Sequence, residues 1–486
     1  MTITFNQIPS TVRVPGHYLE IDNSEATSNP AVLDQRVLLI GTRLSTGTVV
    51  ANTLVRITSL AMAQAYFGRG SQLAAMVAAF RNANTDTPLY AMAMDEATGG
   101  TAATGTITVT GTSTAAGTIY LYVAGVRLQV GVQAGTAAAA VATAIAAAIN
   151  ANADLPVTAA AATGVVTLTA RHKGVVGNAI DARDSYQLGE ALPAGITLAY
   201  AAVAGGAGTP AIETLIAALP DMQFTTYCLG HSDSNTLQRV QAELTTRWSA
   251  QRMVEGHAIA AAIGTQAALT TLGTAVNYDH VTLLGINKAP DPIWIWAAVA
   301  AAVDAAEQDP ARPRQTLALP GIKAPAESAR FIWDERNTLL YSGISTWRAD
   351  ADGTVRIERL ITMYRTDATG NADVSYLDLE TMRTLIYVRY FFRVNVIQRY
   401  PRHKLADDGA VYDTDQAVVT PSEFKAFLLS LYQELVSSVI CEGYDAFKAS
   451  LVVERDTADR NRLNTLMQPN LVNQARVFAT KIQFKL

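Results

Sequence analysis

The last twelve residues of the chain, 475–486, alternate between apolar and polar side chains. On an extended backbone, one side carries Phe478, Ile482, Phe484 and Leu486, and the other carries Lys481, Gln483 and Lys485. This period of two predicts a β-strand with one apolar face. The nearest candidate partner, Leu451–Glu454, is separated from it by a polar segment, 454–468, whose composition is typical of a helix. The strand therefore either completes its own sheet or is donated to another molecule, and the residues alone favour the first because terminal strands usually pair within their chain.

Two amphipathic helices are predicted before this strand. The first, 382–401, has an apolar stripe at Leu385, Ile386, Phe392 and Val396, with arginines at 383, 389, 393 and 399. The ordinary interpretation of those arginines is a solvated basic face. The second helix begins with a capping box, Thr420 to Glu423, with Pro421 at its first position, and its apolar residues recur from Phe424 to Val439. Gly443 is expected to end it.

Strands and helices alternate over two stretches of the chain that are far apart. The predicted strands are 36–42, 88–94, 223–229, 256–263 and 280–286, and the predicted helices are 60–67, 71–82, 211–218, 235–247, 266–272 and 293–306. Such alternation indicates a mainly parallel sheet with helices on its faces, so the fold class is α/β with a doubly wound core. Two further strands, 339–348 and 354–366, are expected to form a hairpin through the ADADG turn.

A segment rich in glycine, threonine and alanine interrupts this pattern at Asp95. Short alternating strands are predicted at 105–111, 117–125 and 126–132, the last two paired through a turn at Ala124 and Gly125. An alanine-rich helix, 136–150, and a hairpin, 155–171, follow. These elements predict an inserted β-rich domain, 96–208, that splits the core into 31–95 and 209–375.

The first thirty residues form no compact unit in this interpretation. Prolines at positions 9, 15 and 30 disfavour helix at the residues before them. Ile3 and Phe5, then Val12 and Val14, alternate weakly. Residues 1–30 are therefore expected to be an extended arm with strand-like pieces.

The composition excludes several classes of protein. Hydrophobic residues make up 49% of the 486 residues and charged residues 16%, so the chain can bury a large core and has length for roughly three domains. A net charge of −5 with no basic run argues against nucleic acid as a partner. Two cysteines are too few for a disulfide framework.

The sequence shows no targeting or membrane segment. The chain begins without the features of a secretion signal, so we do not expect export by a signal peptide. No apolar window reaches the roughly 20 residues that span a bilayer, so we do not expect membrane insertion.

No catalytic or cofactor motif is present. The sequence lacks a GxSxG elbow, an HExxH pair, a CxxC pair and a Walker lysine. The best catalytic candidate is His231 with Ser232 and Asp233, because it follows a strand of the α/β core. Three adjacent residues cannot form a triad with one another, so we interpret them as a loop and a helix N-cap. Asp350 and Asp352 lack the longer acidic series of a calcium loop. We expect no enzyme, no cofactor and no metal.

Several segments together resemble one family, the contractile tail sheath proteins of bacteriophages, in particular those of Mu-like phages. They are FNQIPSTVRVPGHYLEIDNS, RVLLIGT, FGRGSQLAAMVAAF, LLYSGISTW, DGTVRIERLITMY, DVSYLDLETMRTLIYVRYFF, YPRHKLADD and the terminal strand. Each is weak alone, but their order is the family's. The resemblance covers most of the chain outside the insertion, which itself looks like the β-rich module of such sheaths.

The resemblance implies a fold and a mode of assembly. It implies a core of subtilisin-like topology, an inserted outer domain, an α+β C-terminal domain (376–474) that faces a tail tube, and a C-terminal strand arm (475–486). In such sheaths both arms add strands to neighbouring subunits, which reverses the expectation that the last strand stays in its own sheet. The residues expected to exchange are Ile3, Phe5, Val12, Val14, Phe478, Ile482, Phe484 and Leu486.

The resemblance also implies partners and a role. The subunit would polymerise as a helical tube of hexameric rings in the host bacterial cytoplasm, become part of the virion tail, and contract to drive the tube through the host envelope. Its partners would be other copies of itself, the tail tube protein, and baseplate and terminator proteins. Because arginines pair with acidic groups, we expect the tube to be contacted by Arg389, Arg393, Arg399, Arg402 and Lys404.

Two alternatives remain open at this point. One is the sheath of a related contractile system, a tailocin or a type VI-like machine, which neighbouring genes would distinguish. The other is an α/β hydrolase, which predicts clustered serine, histidine and aspartate in the folded core.

Overall fold

The computed structural model describes residues 33–409 and 416–485. The first elements in this part of the chain build one half of a sheet. The elements are β1 (Val37–Thr42), β2 (Leu54–Ile57), α1 (Leu60–Phe67), α2 (Gln72–Ala83) and β3 (Leu89–Met94). Helix α2 starts where predicted because the Ser71 side chain accepts the N–H of Ala74 and caps the first turn.

A β-rich segment follows β3. Its elements are β4 (Ala102–Gly111), β5 (Gly117–Val123), β6 (Val126–Val132), α3 (Ala138–Ala151), β7 (Val157–Ala162), β8 (Val165–Lys173), β9 (Ala182–Asp184) and β10 (Ile196–Ala204). They form two antiparallel sheets, ordered β10-β4-β8-β7 and β6-β5-β9. The predicted turn between β5 and β6 is confirmed, because Ala124 and Gly125 both have positive φ, as a type I′ turn requires.

The chain then completes the first sheet, which we call the core sheet. The elements are α4 (Ile212–Ala217), β11 (Thr226–Leu229), α5 (Ser234–Trp248), β12 (His257–Ile263), α6 (Gln266–Thr274), β13 (Val281–Ile286) and α7 (Ile293–Ala306). The strand order is β13-β12-β11-β1-β3-β2, parallel throughout except for β2 at the edge. Strand β1 pairs with β3 and with β11, which are separated in sequence by the two antiparallel sheets.

Helices cover both faces of this sheet, as predicted. Val37 and Leu39 of β1 point into an apolar cluster that contains residues of α2 and α7. Leu38 and Ile40 point into a second cluster with residues of α4 and α5. All six residues of β1 are buried, which explains why its sequence is a continuous apolar run without alternation.

The predicted strand at 339–348 is wrong in its first half. The segment contains the end of α8 (Trp333–Tyr341) and only then β14 (Thr346–Ala349), which pairs with β15 (Val355–Arg359). The helix is favoured locally because the Glu335 side chain accepts the N–H of Ile332 at its start. Strand β15 is also shorter than predicted, since Ile361 and Met363 make single bridges to Asp378 and Tyr278 instead of to β14.

The last elements of the chain follow β15. They are α9 (Leu379–Arg399), β16 (Lys404–Leu405), β17 (Val418–Val419), α10 (Pro421–Ser437), β18 (Cys441–Glu442), α11 (Tyr444–Ser450), β19 (Val452–Arg455), β20 (Leu463–Leu466) and β21 (Asn470–Leu471). Helices α9, α10 and α11 contribute most of the buried side chains of a separate apolar cluster, which we call the C-terminal cluster. Thr420 caps α10 as predicted, accepting the N–H of Glu423.

The predicted end of α10 at Gly443 is wrong. The helix ends at Ser437, and Val439 takes the left-handed conformation with a φ of 57°. The N–H of Ile440 then bonds the carbonyl of Leu435, which is the Schellman closure usually made with glycine. Gly443, also left-handed, instead precedes the first residue of α11.

The helix expected in the polar segment 454–468 is also absent. Strands β19 and β20 form a hairpin there, with Val452 opposite Leu466. The Asp456 carboxylate accepts the backbone N–H groups of Ala458 and Asp459, each at 2.8 Å. This local turn competes with the helix and brings the two strands back together.

Candidate functional site

The end of the chain leaves the folded body as an exposed segment, which we call the C-terminal arm (residues 477–485). Val477, Phe478, Ile482 and Phe484 are each more than 80% exposed. The arm forms no strand and makes no hydrogen bond with any residue that the structure describes. The strand predicted here is therefore not paired within the described chain. Contiguous exposed apolar side chains are uncommon on a monomer and mark interaction surfaces.

The remaining residues expected to exchange strands lie outside the described residues. They are Leu486 at one end of the chain and Ile3, Phe5, Val12 and Val14 at the other.

The segment just before the arm is held firmly, and we call it the arm root (residues 472–476). The N–H of Val472 donates to the carbonyl of Ile440. The Gln474 side chain donates to the carbonyl of Ala311 at 3.3 Å. Arg476 Nη2 lies 2.8 Å from Glu380 Oε2 and 3.0 Å from Asp378 Oδ1. The boundary between the held and exposed parts of the chain therefore lies between Arg476 and Val477.

A buried ionic network lies beneath the arm root. Glu380, fully buried, also accepts the backbone N–H of Arg314 at 2.8 Å. The guanidinium of Arg314 contacts Asp304 of α7 at 3.1 Å, and Arg383 of α9 contacts the other oxygen of the same carboxylate. Burial would raise the pKa of the Asp304 carboxyl, but Arg383 and Arg314 hold it below its ordinary value. Asp304 is therefore a charged residue that joins α7 to α9.

Strands β19 and β20 offer two open edges beside the C-terminal cluster. Neither strand pairs with any other strand among the described residues. Val452 and Leu466 face each other across the hairpin and are about half exposed. At the other end of the hairpin, Arg455 and Arg460 pair with Asp407, at 3.0 Å and 2.7 Å. The hairpin is thus fixed to the body while its edges stay available for pairing.

The five arginine and lysine residues between positions 389 and 404 divide into two groups. Arg389 pairs with the buried Glu255 at 2.9 Å and lies over the ring of Trp248, and Arg393 donates to the carbonyl of Met253. These two make contacts within the chain and do not form the solvated basic face of the ordinary interpretation. The second group is exposed and consists of Arg399 at the end of α9 and of Arg402 and Lys404 just after it.

The place where an α/β enzyme binds its ligand is filled by the chain itself. At the carboxyl ends of β1 and β11, the Gln72 side chain accepts the N–H of Thr42 and donates to the carbonyl of Gly230. His231 Nε2 bonds the Thr42 hydroxyl at 2.8 Å. His172, from the β-rich segment, accepts the N–H of Gln72 at 2.8 Å. All these side chains are buried, so the crevice is a packed junction between the sheet and the β-rich segment.

The residues around His231 serve the structure of the loop. Asp233 caps α5 by accepting the N–H of Thr236, which confirms the N-cap interpretation. Burial lowers the pKa of His231 to about 4, so the ring is neutral at physiological pH.

Acid should destabilise the subunit through His231. Between the ordinary pKa of 6.5 and the folded value of about 4, the unfolded chain binds a proton that the folded chain does not. The free energy of unfolding should therefore fall as the pH drops through this window, by at most about 3 kcal/mol. We expect His231→Gln, measured by chemical unfolding at pH 7 and pH 5, to show a smaller drop than the unchanged protein. An equal drop in both would contradict this assignment.

The described residues contain no group of three acidic, histidine or cysteine side chains that could hold a metal ion. Asp350 pairs with Arg356, and Asp352 accepts the N–H of Thr354, so both carboxylates serve the β14–β15 turn. Among residues 33–409 and 416–485, no helix is long and apolar enough to cross a bilayer.

Comparison with known proteins identifies the class. Three family models match the chain: the phage tail sheath protein β-sandwich domain over residues 98–197, the central domain over 205–363 and the C-terminal domain over 371–485. The chain belongs to the phage tail sheath protein family. It is a structural tail sheath subunit and not an enzyme.

One relative matches this chain from end to end. The Mu-like prophage FluMu tail sheath protein of Haemophilus influenzae is 41% identical over 488 residues, covering 100% of both chains. Among solved structures, a sheath tail protein of Desulfitobacterium hafniense is 13% identical with a TM-score of 0.48, covering 94% of this chain and 100% of that one. The contracted sheath of an extracellular contractile injection system is 10% identical with a TM-score of 0.49, covering 98% and 99%.

Proposed function

We propose that the subunit assembles into a helical sheath by donating its C-terminal arm, as a β-strand, to the β19–β20 hairpin of a neighbouring copy. The observation that carries this proposal is an apolar arm with no partner among the described residues, together with a hairpin whose edges are open to the rest of that part of the chain. Main-chain hydrogen bonds to an open edge and apolar side chains on one face are the two contributions of strand addition. The N-terminal arm, residues 1–30, would exchange in the same way through Ile3, Phe5, Val12 and Val14.

Strand donation from copy to copy produces a lattice. Because the donor and acceptor surfaces differ, the contact is heterologous and need not close, so it generates a helical tube. Burying Phe478, Ile482 and Phe484 would contribute about 1.5 to 3 kcal/mol each before the costs of association. A continuous main-chain linkage of this kind would persist while the folded bodies rotate as units.

The lattice would perform the work of a contractile tail. We propose that rings of six subunits assemble around a tail tube in the host cytoplasm, in an extended and metastable form. Contraction to a shorter and more stable lattice, started at the baseplate, would drive the tube through the host envelope. The energy would be stored in subunit contacts, so no nucleotide site is needed. The core sheet would correspond to the subtilisin-like topology of such sheaths, with 96–208 as the outer domain and 376–474 towards the tube.

We propose that Arg399, Arg402 and Lys404 meet the tail tube. These three residues are exposed, whereas Arg389 and Arg393 contact their own chain. An acidic tube surface would attract the exposed group. Reversing Arg399 and Arg402 to glutamate should weaken co-sedimentation with tail tubes, and undiminished binding would exclude this surface.

Disulfide cross-linking tests the donation of the arm. We expect Ile482→Cys, combined in turn with cysteine at Val452, Glu454, Leu463 or Thr465, to give covalent ladders when assembled tubes are oxidised. At least one combination should bring two cysteines within the few ångströms that a disulfide requires. The native Cys228 and Cys441 are buried and should not compete.

The matched control joins Ile482→Cys with Val50→Cys, because Val50 is 70% exposed, more than Val452, but lies near the core sheet. It should give no ladder. Ladders from the control, or assembled tubes in which no hairpin position cross-links, would contradict the proposed acceptor.

A further inference from the structure

We propose that Arg476 is the positioning residue of the C-terminal arm: it fixes where the arm leaves the folded body, and so directs the donated strand towards its neighbour. The inference rests on the proposed strand donation. The inference concerns a contact within the subunit. Variants of Arg476 therefore test it while the arm itself is intact.

Arg476 is held at the start of α9 by two carboxylates. Its Nη2 contacts Asp378, the N-cap position of the helix, and Glu380, in the first helical turn. Asp378 is in turn bound by Arg359 through two hydrogen bonds of 2.9 Å and 3.0 Å. The side chain of Arg476 is only 12% exposed. Nε and Nη1 have no partner in the described part of the chain, so both ion pairs depend on one nitrogen.

Two amide side chains hold the backbone next to Arg476. Gln315 Nε2 donates to the carbonyl of Ala475 at 3.1 Å, and Gln474 reaches back to the carbonyl of Ala311 at 3.3 Å. Both contacts join the arm root to the 311–315 loop. The arm root is therefore attached on one side to this loop and on the other to α9. After Arg476, the chain makes no further hydrogen bond to any described residue.

The same contacts connect the arm root to the core sheet. Glu380 accepts from Arg314, Arg314 shares Asp304 with Arg383, and Arg383 also bonds the Thr226 hydroxyl of β11 at 2.7 Å. A movement of the core sheet would thus be transmitted to the start of the arm through buried charges. An arm held in this way is pre-organised, since part of the ordering cost of donation has already been met by folding.

Arg476→Met tests the role. The variant should raise the subunit concentration needed for half-maximal tube assembly by about tenfold to a hundredfold, because a few arm-root residues must then be ordered at each donation. Hydrogen exchange of the Val472 amide, whose N–H donates to the carbonyl of Ile440, should become faster in the unassembled subunit. Arg476→Lys, which keeps a positive charge beside the two carboxylates, should assemble better than Arg476→Met.

A double variant distinguishes positioning of the arm from neutralisation of the buried Glu380 carboxylate. Arg476→Met leaves Glu380 buried without its ion pair, and adding Glu380→Gln removes that charge. If Arg476 positions the arm, the double variant should regain thermal stability and still assemble poorly. Recovery of assembly along with stability, or unchanged assembly of Arg476→Met, would overturn the inference. Failure of strand donation itself is recognised separately, because a chain that ends at Arg476 would then assemble as well as the full chain.

Discussion

A subunit in which Phe478, Ile482 and Phe484 are all replaced by serine is expected not to form tubes, although its folded body is unchanged. The three side chains are 81 to 86% exposed and belong to none of the apolar clusters formed by the described residues. In the assembled sheath they would contribute about 5 to 9 kcal/mol together, gross. Even if about half of this is realised, assembly would need a roughly hundredfold higher subunit concentration.

The matched control changes the other face of the same arm. Lys481→Ser, Gln483→Ser and Lys485→Ser alter the same number of positions and leave the apolar face intact. Pelleting of tubes by centrifugation, with thermal unfolding of the unassembled subunits, compares the two variants. We expect the control to assemble within a few-fold of the unchanged protein. Normal tubes from the apolar-face variant would contradict donation through this face.

The largest effect on stability is expected from Asp304→Asn. This nearly isosteric change leaves Arg314 and Arg383 buried without their shared counter-charge. Breaking a buried ion pair from one side costs about 3 to 5 kcal/mol, mainly because the remaining charge is uncompensated. Trp294 and Trp296 lie on the same helix, so tryptophan fluorescence should report the loss as a lower unfolding midpoint in urea.

Asp154→Asn is the control for this change. Asp154 pairs with Arg69 at 2.8 Å, as close as many buried pairs, but both side chains are substantially exposed. Exposed pairs contribute little because water screens them. The unfolding midpoint should therefore barely move. Similar midpoints for the two variants would mean that the network at Asp304 contributes no more than a surface pair.

Elements with strong local signals could be predicted from the sequence. The apolar run of β1, the serine cap of α2 and the positive-φ turn between β5 and β6 depend on residues next to one another. The errors occur where two local signals compete. At 339–348 the ADADG turn favoured one strand of a hairpin, but the contact between Glu335 and Ile332 stabilises a helix. At 454–468 polar residues favoured a helix, but the Asp456 turn stabilises a hairpin.

The candidate site was only partly predictable, because local patterns do not show contacts between distant parts of the chain. The apolar face of the arm could be predicted from the alternation of apolar and polar residues alone. The contacts of the arm root join residues that are distant in sequence, such as Arg476 and Glu380, which are 96 positions apart. One signal was visible, since Asp304 is the single charged residue of the otherwise apolar helix α7. Its partners lie on other elements and could not be identified before the fold was known.

The most direct test of sheath assembly through the arm is electron microscopy of the purified full chain beside a chain that ends at Arg476. The shortened chain keeps every described contact of the arm root and loses only the arm and Leu486. The full chain should form hollow, striated tubes, and the shortened chain should remain as separate, folded subunits. Tubes of equal number and length from both chains would contradict the proposal that the C-terminal arm links one subunit to the next.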